Sequence, residues 1–123
     1  MDTNAVSDLI LAKLSTLHAR VYRNESIEAP TFPYVVFSLD SLTPVDPSTD
    51  YYLNVDVFEK PHTSVRAIET LADSIQDELD NLVLRTVGLN VHLVLEQRQF
   101  ISQSDLTTGQ MINLRFVLRS YFI

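Results

Sequence analysis

Along residues 51–58 the apolar side chains Tyr51, Leu53, Val55 and Val57 alternate with mostly polar ones, the period of two that a half-buried strand requires. Pro61 then withholds a backbone donor and ends the ladder, and Thr63 or Ser64 can cap the amides of a following helix. From there the period changes. Val65, Ile68, Ala72, Ile75, Leu79 and Leu82 fall three and four apart, with Leu71 beside them, which is one stripe of an amphipathic helix. A strand and a helix joined by so short a connection can bury their apolar faces against each other, and the rest of the chain is expected to complete that layer.

The flanking segments follow the same logic. Residues 4–21 place Val6, Leu9, Ile10, Leu14, Leu17 and Val21 on one side of a first helix, with Thr3 or Asn4 as its cap. Residues 22–32 show no sustained period and are expected to be a loop. Residues 34–39 are β-branched and aromatic and predict a strand, and residues 40–50, with Pro44 and Pro47, predict a polar loop. Beyond Gly88, residues 89–101 and 111–123 both alternate and predict a long antiparallel hairpin around a turn-rich tip. The expected order is helix, strand, strand, helix, strand, strand. That is an α+β two-layer fold: a mostly antiparallel four-stranded sheet with two helices packed on one face, forming a single domain over residues 1–123 without an internal repeat.

Strand parity sorts the side chains onto two faces. Val35, Phe37, Leu53, Val55, Val57, Leu93, Leu95, Leu114, Phe116 and Leu118 are expected to meet the helices. The reverse face is expected to carry Val36, Phe58, Val94, Phe100, Val117 and Tyr121 among Asn54, Asp56, His92, Glu96, Arg98 and Arg115. Two helices cannot cover both faces. Burying each apolar side chain there would gain about 1.5–3 kcal/mol, so those six residues predict a subunit interface and self-association.

Composition removes whole classes of chemistry. There is no cysteine for a disulfide or a thiolate, and Gly88 and Gly109 are too few for a phosphate-cradling loop. The formal charge of −7 opposes adhesion to a phosphate backbone, which disfavours a nucleic-acid reader. With no leader at the start and no apolar run of about 20 residues, the expectation is a soluble protein made in a cytoplasm.

Candidate sites are correspondingly sparse. His18, His62 and His92 fall at no metal-ligand spacing, and no serine sits in a nucleophile elbow. His62 near Asp56 and Glu59 could act as a base with an orienting carboxylate, but a turn histidine is the plainer account. Asp40, Asp46 and Asp50 could hold a hard cation, yet they lack the spacing and the glycine of a calcium loop. On the second helix Glu69, Asp73, Asp77 and Asp80 form an acidic face, either merely solvated or suited to repel a polyanion or meet a basic partner. Arg98, Arg115 and Arg119 could form a basic stripe on the hairpin, but Glu96 interrupts it and pairing with carboxylates across strands is the plainer expectation, while Tyr51 and Tyr52 are expected to point to opposite faces. No catalytic residue, metal or cofactor is assigned.

Three pieces carry a resemblance: Pro-Tyr-Val-Val-Phe at 33–37; Tyr-Tyr-Leu-Asn-Val-Asp-Val-Phe-Glu-Lys at 51–60 running into the helix with Ser64-Val65-Arg66-Ala67 and Leu71-Ala72-Asp73; and the hairpin from Val91-His92-Leu93-Val94-Leu95 to Leu114-Arg115-Phe116-Val117-Leu118. Over nearly its full length the sequence resembles the tail terminator, or tail completion, proteins of long-tailed bacteriophages, which join tail to head. The resemblance rests on order and spacing. It implies a structural virion protein, not an enzyme, assembled in the host cytoplasm. It further implies a homo-oligomeric ring, usually a hexamer, that caps the tail tube protein and meets the head connector or stopper while DNA passes through without sequence-specific binding. In that setting the acidic face would line a channel or greet a partner, and the loop with Asp46 and Asp50 would dock. Another neck or baseplate component, an adaptor domain of a host regulatory protein, and a small acid/base enzyme built on His62 are the alternatives.

Overall fold

In the computed structural model, which describes residues 3–18, 20–23, 33–41, 49–59, 65–86, 88–102 and 110–122, the chain runs α1 (Thr3–Leu17), β1 (Val21–Arg23), β2 (Tyr34–Ser41), β3 (Thr49–Glu59), α2 (Val65–Leu79), β4 (Val83–Thr86), β5 (Leu89–Ser102) and β6 (Gln110–Phe122). All six strands form one sheet in the order β1-β2-β3-β6-β5-β4. The four expected strands are the inner four. The four-stranded sheet is therefore a correction: a short strand is added at each edge, and β1 pairs with β2 in parallel while the other pairs are antiparallel.

Both additions have a local cause. The first helix stops at Leu17, short of the expected Val21, with the His18 amide closing its last turn on the Leu14 carbonyl at 3.0 Å. The Pro33 carbonyl then anchors the next few residues. It accepts from His18 Nε2 at 2.9 Å and from Arg20 Nε at 2.9 Å, while the Val35 amide donates to the Arg20 carbonyl at 2.9 Å. These bonds hold Val21–Arg23 against β2, where a strand of three residues could not persist alone. At the other edge, α2 ends at Leu79 because Asn81 adopts a left-handed φ of 61°, a conformation that asparagine tolerates and that closes helix C-termini. Leu82 is thus outside the helix although it continues the apolar spacing, and Val83–Thr86 run on as β4. Gly88, at φ 85°, supplies the positive dihedral that turns β4 tightly back into β5.

With these strands the chain reads α-β-β-β twice, and the sheet order is mirrored about the central β3–β6 pair. No repeat is visible in the sequence. The likeness is one of arrangement, broken by the parallel β1–β2 pair.

The core lies between the sheet and the helices. Val6, Ile10 and Leu14 of α1 and Ile68, Ala72, Ile75 and Leu79 of α2 pack in one cluster with Val35, Phe37, Tyr51, Leu53, Val55, Val57, Leu93, Ile112, Leu114, Phe116 and Leu118. Nine of the ten predicted helix-facing side chains are buried, and Leu95 is half-buried against the same cluster. Val65 leaves the expected stripe and is 51% exposed. The cap candidates Thr63 and Ser64 lie outside the described residues, while Asn4 lies within α1 and accepts a bond from Arg23 Nη1 at 3.1 Å.

Ser7 is buried on α1, and its hydroxyl has no hydrogen-bond partner among the described residues. A hydroxyl stranded in this way costs about 1–3 kcal/mol. Ser7→Ala is therefore expected to raise unfolding stability by about 1 kcal/mol, read as a higher urea midpoint at unchanged slope.

Candidate interaction surface

The register assigns the paired strand residues to one face or the other, and the reverse face is assembled row by row from it. Tyr34, Phe58 and Met111 lie side by side across β2, β3 and β6; Val36, Asp56 and Asn113 form the next row, then Ser38, Asn54 and Arg115, and then Asp40, Tyr52 and Val117 with Val94 of β5. The next row carries Asp50, Arg119, His92 and, on β4, Val83, and a final one carries Tyr121, Asn90 and Arg85. None of these residues is buried. Among the described residues, neither helix contributes to this face.

Its chemistry is banded. At one end Tyr34 stacks on Phe58 with ring centroids 4.8 Å apart, and Tyr22 of β1 meets Tyr34 edge-on at 6.4 Å. Across the middle runs a polar ladder. Asn113 Nδ2 donates to Asp56 Oδ1 at 2.6 Å, Arg115 Nε to Asn54 Oδ1 at 3.3 Å, and Asn54 Nδ2 to Asp40 Oδ2 at 3.0 Å. The Arg115 guanidinium also sits 5.2 Å above the Tyr52 ring, a cation–π contact. Tyr51, one residue earlier, is fully buried, so the adjacent tyrosines do point to opposite faces. At the far end Val94 and Val83 are 40% and 48% exposed, and His92, Val94, Val117 and Arg119 line a depression of about 320 Å³.

Of the six residues expected at an interface, Val36, Phe58, Val94, Val117 and Tyr121 lie on this face by register. Phe100 does not. Leu95 pairs with Phe116 and Gln97 with Arg115, so Glu96 is an extra residue, a β-bulge that reverses the parity of the remainder of β5. Phe100 opposes the buried Ile112 and is 41% exposed on the helix side, and Arg98 changes face with it.

That reversal also remakes the acidic face. Arg98 Nη2 donates to Glu69 Oε2 at 2.7 Å, while Nη1 donates to Asp73 Oδ1 at 2.7 Å and to Gln76 Oε1 at 2.9 Å. The like-charge spacing of Glu69 and Asp73 is thereby relieved by a cation clamped from the sheet, not paired across strands as expected. Asp80 Oδ1 accepts the Leu95 amide at 2.9 Å, which closes the β5 edge ahead of the first residue of β4, and Glu78 meets Lys13 of α1 at 3.3 Å. Asp77 alone of the four acidic-face residues has no such bond among the described residues. Because the Arg98 clamp is partly solvated, Arg98→Ala is expected to cost about 1 kcal/mol in low salt and less in high salt, measured by denaturant unfolding at two ionic strengths.

The remaining candidates separate. Asp40 and Asp50 are strand residues, Asp40 bonded to Asn54 and Asp50 lying 3.9 Å from Arg119, and not members of a shared loop. Asp46 and His62 lie outside the described residues. His18 bonds the Pro33 carbonyl and His92 stands beside Arg119 on the sheet. Among the described residues no group of three His, Asp or Glu side chains could hold a metal ion. No described helix is long and apolar enough to cross a membrane.

Two titrations are displaced on the reverse face: burial raises the Tyr34 hydroxyl above its ordinary 10.0, and it also acts on Asp56. Burial pushes the Asp56 carboxyl above its ordinary 3.8, against the lowering effect of the Asn113 bond. The folded state therefore holds this proton to higher pH than the unfolded chain does. Asp56 contributes no loss of stability below about pH 3.8, and stability declines as pH rises through the window between the unfolded and folded values. Asp56→Asn, which can keep the bond from Asn113, is expected to be more stable than the parent at pH 7 and to lose that advantage toward pH 3.8, as thermal unfolding across that range would report.

Tyr22, Tyr34, Met111 and Val83 are reverse-face residues that periodicity did not single out. Tyr34 and Met111 were within reach of the same parity rule, whereas Tyr22 and Val83 depend on edge strands too short to show a period. Compared with known proteins, the sequence matches no family model and no curated protein at a significant level.

Proposed function

We propose that the protein is a structural subunit that self-associates into a ring through the reverse face of its sheet, in the manner of the phage tail terminators that its sequence resembles. One observation carries the reading: a broad sheet face, aromatic at one end and valine-rich at the other, on which no described residue is buried. Scattered exposed apolar side chains are ordinary, but a contiguous set spanning several strands marks an association surface. The polar ladder between the two ends is already bonded within the chain, so covering it leaves few donors or acceptors unpaired.

The corresponding role is virion assembly. The ring caps the tail tube protein and meets a head connector or stopper in the neck of the particle, after assembly in the host cytoplasm. The net charge of −7 suits a channel through which DNA slides without being held. Mixing the protein with purified cognate tail tubes and imaging them by electron microscopy tests this. The expected result is a ring of added density at one end of each tube. Tubes with both ends unchanged at saturating protein would overturn the assignment to the tail.

A further inference from the structure

Resting on the self-association just proposed, the geometry points to which two surfaces meet between neighbouring copies: we propose that the valine-floored basic corner of one sheet receives the acidic outer side of α2 from the next copy. The corner is built from the last three strands. Val83, Val94 and Val117 form its floor, Arg119 and His92 stand opposite each other on β6 and β5, and Arg85 lies on the same face of β4 two positions on from Val83. Arg119, Arg85, Val83 and Val94 are all exposed. Among the described residues only Asp50 answers Arg119, from 3.9 Å, a separation too long for a hydrogen bond, and the Asp50 side chain is itself mostly covered.

The complementary surface is on the same molecule. The outer side of α2 carries Asp73, Asp77 and Glu78, with Asp80 just beyond its end, all exposed. Arg98 and Lys13 neutralise part of this charge, and Asp77 is left without a partner among the described residues. The helix therefore keeps a surplus of carboxylates that are repelled by one another and drawn to a guanidinium pair. The two surfaces lie on opposite sides of the layered molecule, since α2 covers the other face of the sheet. A contact between them is accordingly head-to-tail, each copy using one surface on either neighbour, and such contacts generate closed rings when the rotation closes.

Because Arg119 and Asp77 are exposed and lie outside the core, charge reversal at either leaves the fold in place, which circular dichroism and the unfolding midpoint verify. The mass of the wild-type chain, Arg119→Glu, Asp77→Arg and the double variant is then followed by sedimentation velocity across concentration and salt. Each single variant is expected to weaken association at least roughly tenfold, added salt to weaken the wild type, and the double variant to recover most of the loss by restoring opposite charges across every contact. Wild-type multimers that both single variants form equally well, or a double variant no better than the singles, would overturn this pairing and leave the ring standing. A wild-type chain that remains at 14.0 kDa throughout would overturn both.

Discussion

Phe116→Ala is expected to destabilise the folded chain by about 3–5 kcal/mol, the cost of removing a fully buried aromatic ring and leaving a cavity behind it. Phe116 is inaccessible to solvent in β6, flanked across the ladder by Leu53 and Leu95, in the core cluster that α2 helps to cover. Domains of this size hold about 5–15 kcal/mol in total, so the loss consumes a large share of it. Val117→Ala, one residue along and on the opposite face, is expected to cost less than about 1.5 kcal/mol, because Val117 is only half-buried in the single chain. Urea unfolding of the two variants at low protein concentration compares the faces directly. Equal losses would mean that both faces are core and that the reverse face is not free.

Charging the valine end of the reverse face is expected to have the opposite profile. In Val83→Asp/Val94→Asp both substitutions fall at exposed positions, so the folded chain should lose no more than about 1 kcal/mol through strand propensity. Association should fall by roughly a hundredfold or more, because two carboxylates would be taken out of water at about 1–3 kcal/mol each beside the acidic side of the neighbour. Sedimentation velocity on the variant and the parent reads the loss, and the urea midpoint shows whether the fold has been spared. A variant that associates like the parent would place the contact elsewhere on the molecule.

Much of the fold was legible wherever a segment was long enough to show its period. The inner strands β2, β3, β5 and β6 each have an apolar stretch long enough to mark them as extended, and α2 keeps a stripe at Ile68, Ala72, Ile75 and Leu79, so the core face emerged nearly residue by residue. The edges were not legible. Three residues in β1 and four in β4 carry no period of their own, and they become strands because the Pro33 carbonyl and the Gly88 turn deliver them to a neighbour. Apolar spacing alone carries the two helices on to Val21 and Leu82 for the same reason, since it continues past helix ends that only the backbone at His18 and Asn81 reveals.

The bulge does leave a trace in the sequence. Val91, Leu93 and Leu95 keep odd positions, then four polar residues intervene, and the next apolar side chain, Phe100, has even parity. An odd interval inside an otherwise regular strand is what one inserted residue produces. Its consequence reaches beyond β5. Simple alternation puts Arg98 and Phe100 on the wrong face, and without Arg98 the acidic stretch of α2 looks open, although that guanidinium holds both Glu69 and Asp73.

The surface itself was legible as a kind but not as a pattern. Parity identified a half-apolar face, and the register shows aromatic and valine ends divided by bonded polar rows. That division depends on which residues lie side by side across strands, and a linear sequence does not carry the register. Of the two residues expected in a docking loop, Asp50 belongs to β3, which extends further than its apolar core, and Asp46 lies outside the described residues.

The central claim is that the reverse face belongs against other copies of the chain, and the mass of the wild-type protein in solution, measured by sedimentation velocity from low to high concentration, tests it most directly. A discrete species at a multiple of 14.0 kDa, closed in size and growing in population with concentration, is the predicted result. A single species at 14.0 kDa at every concentration would contradict it.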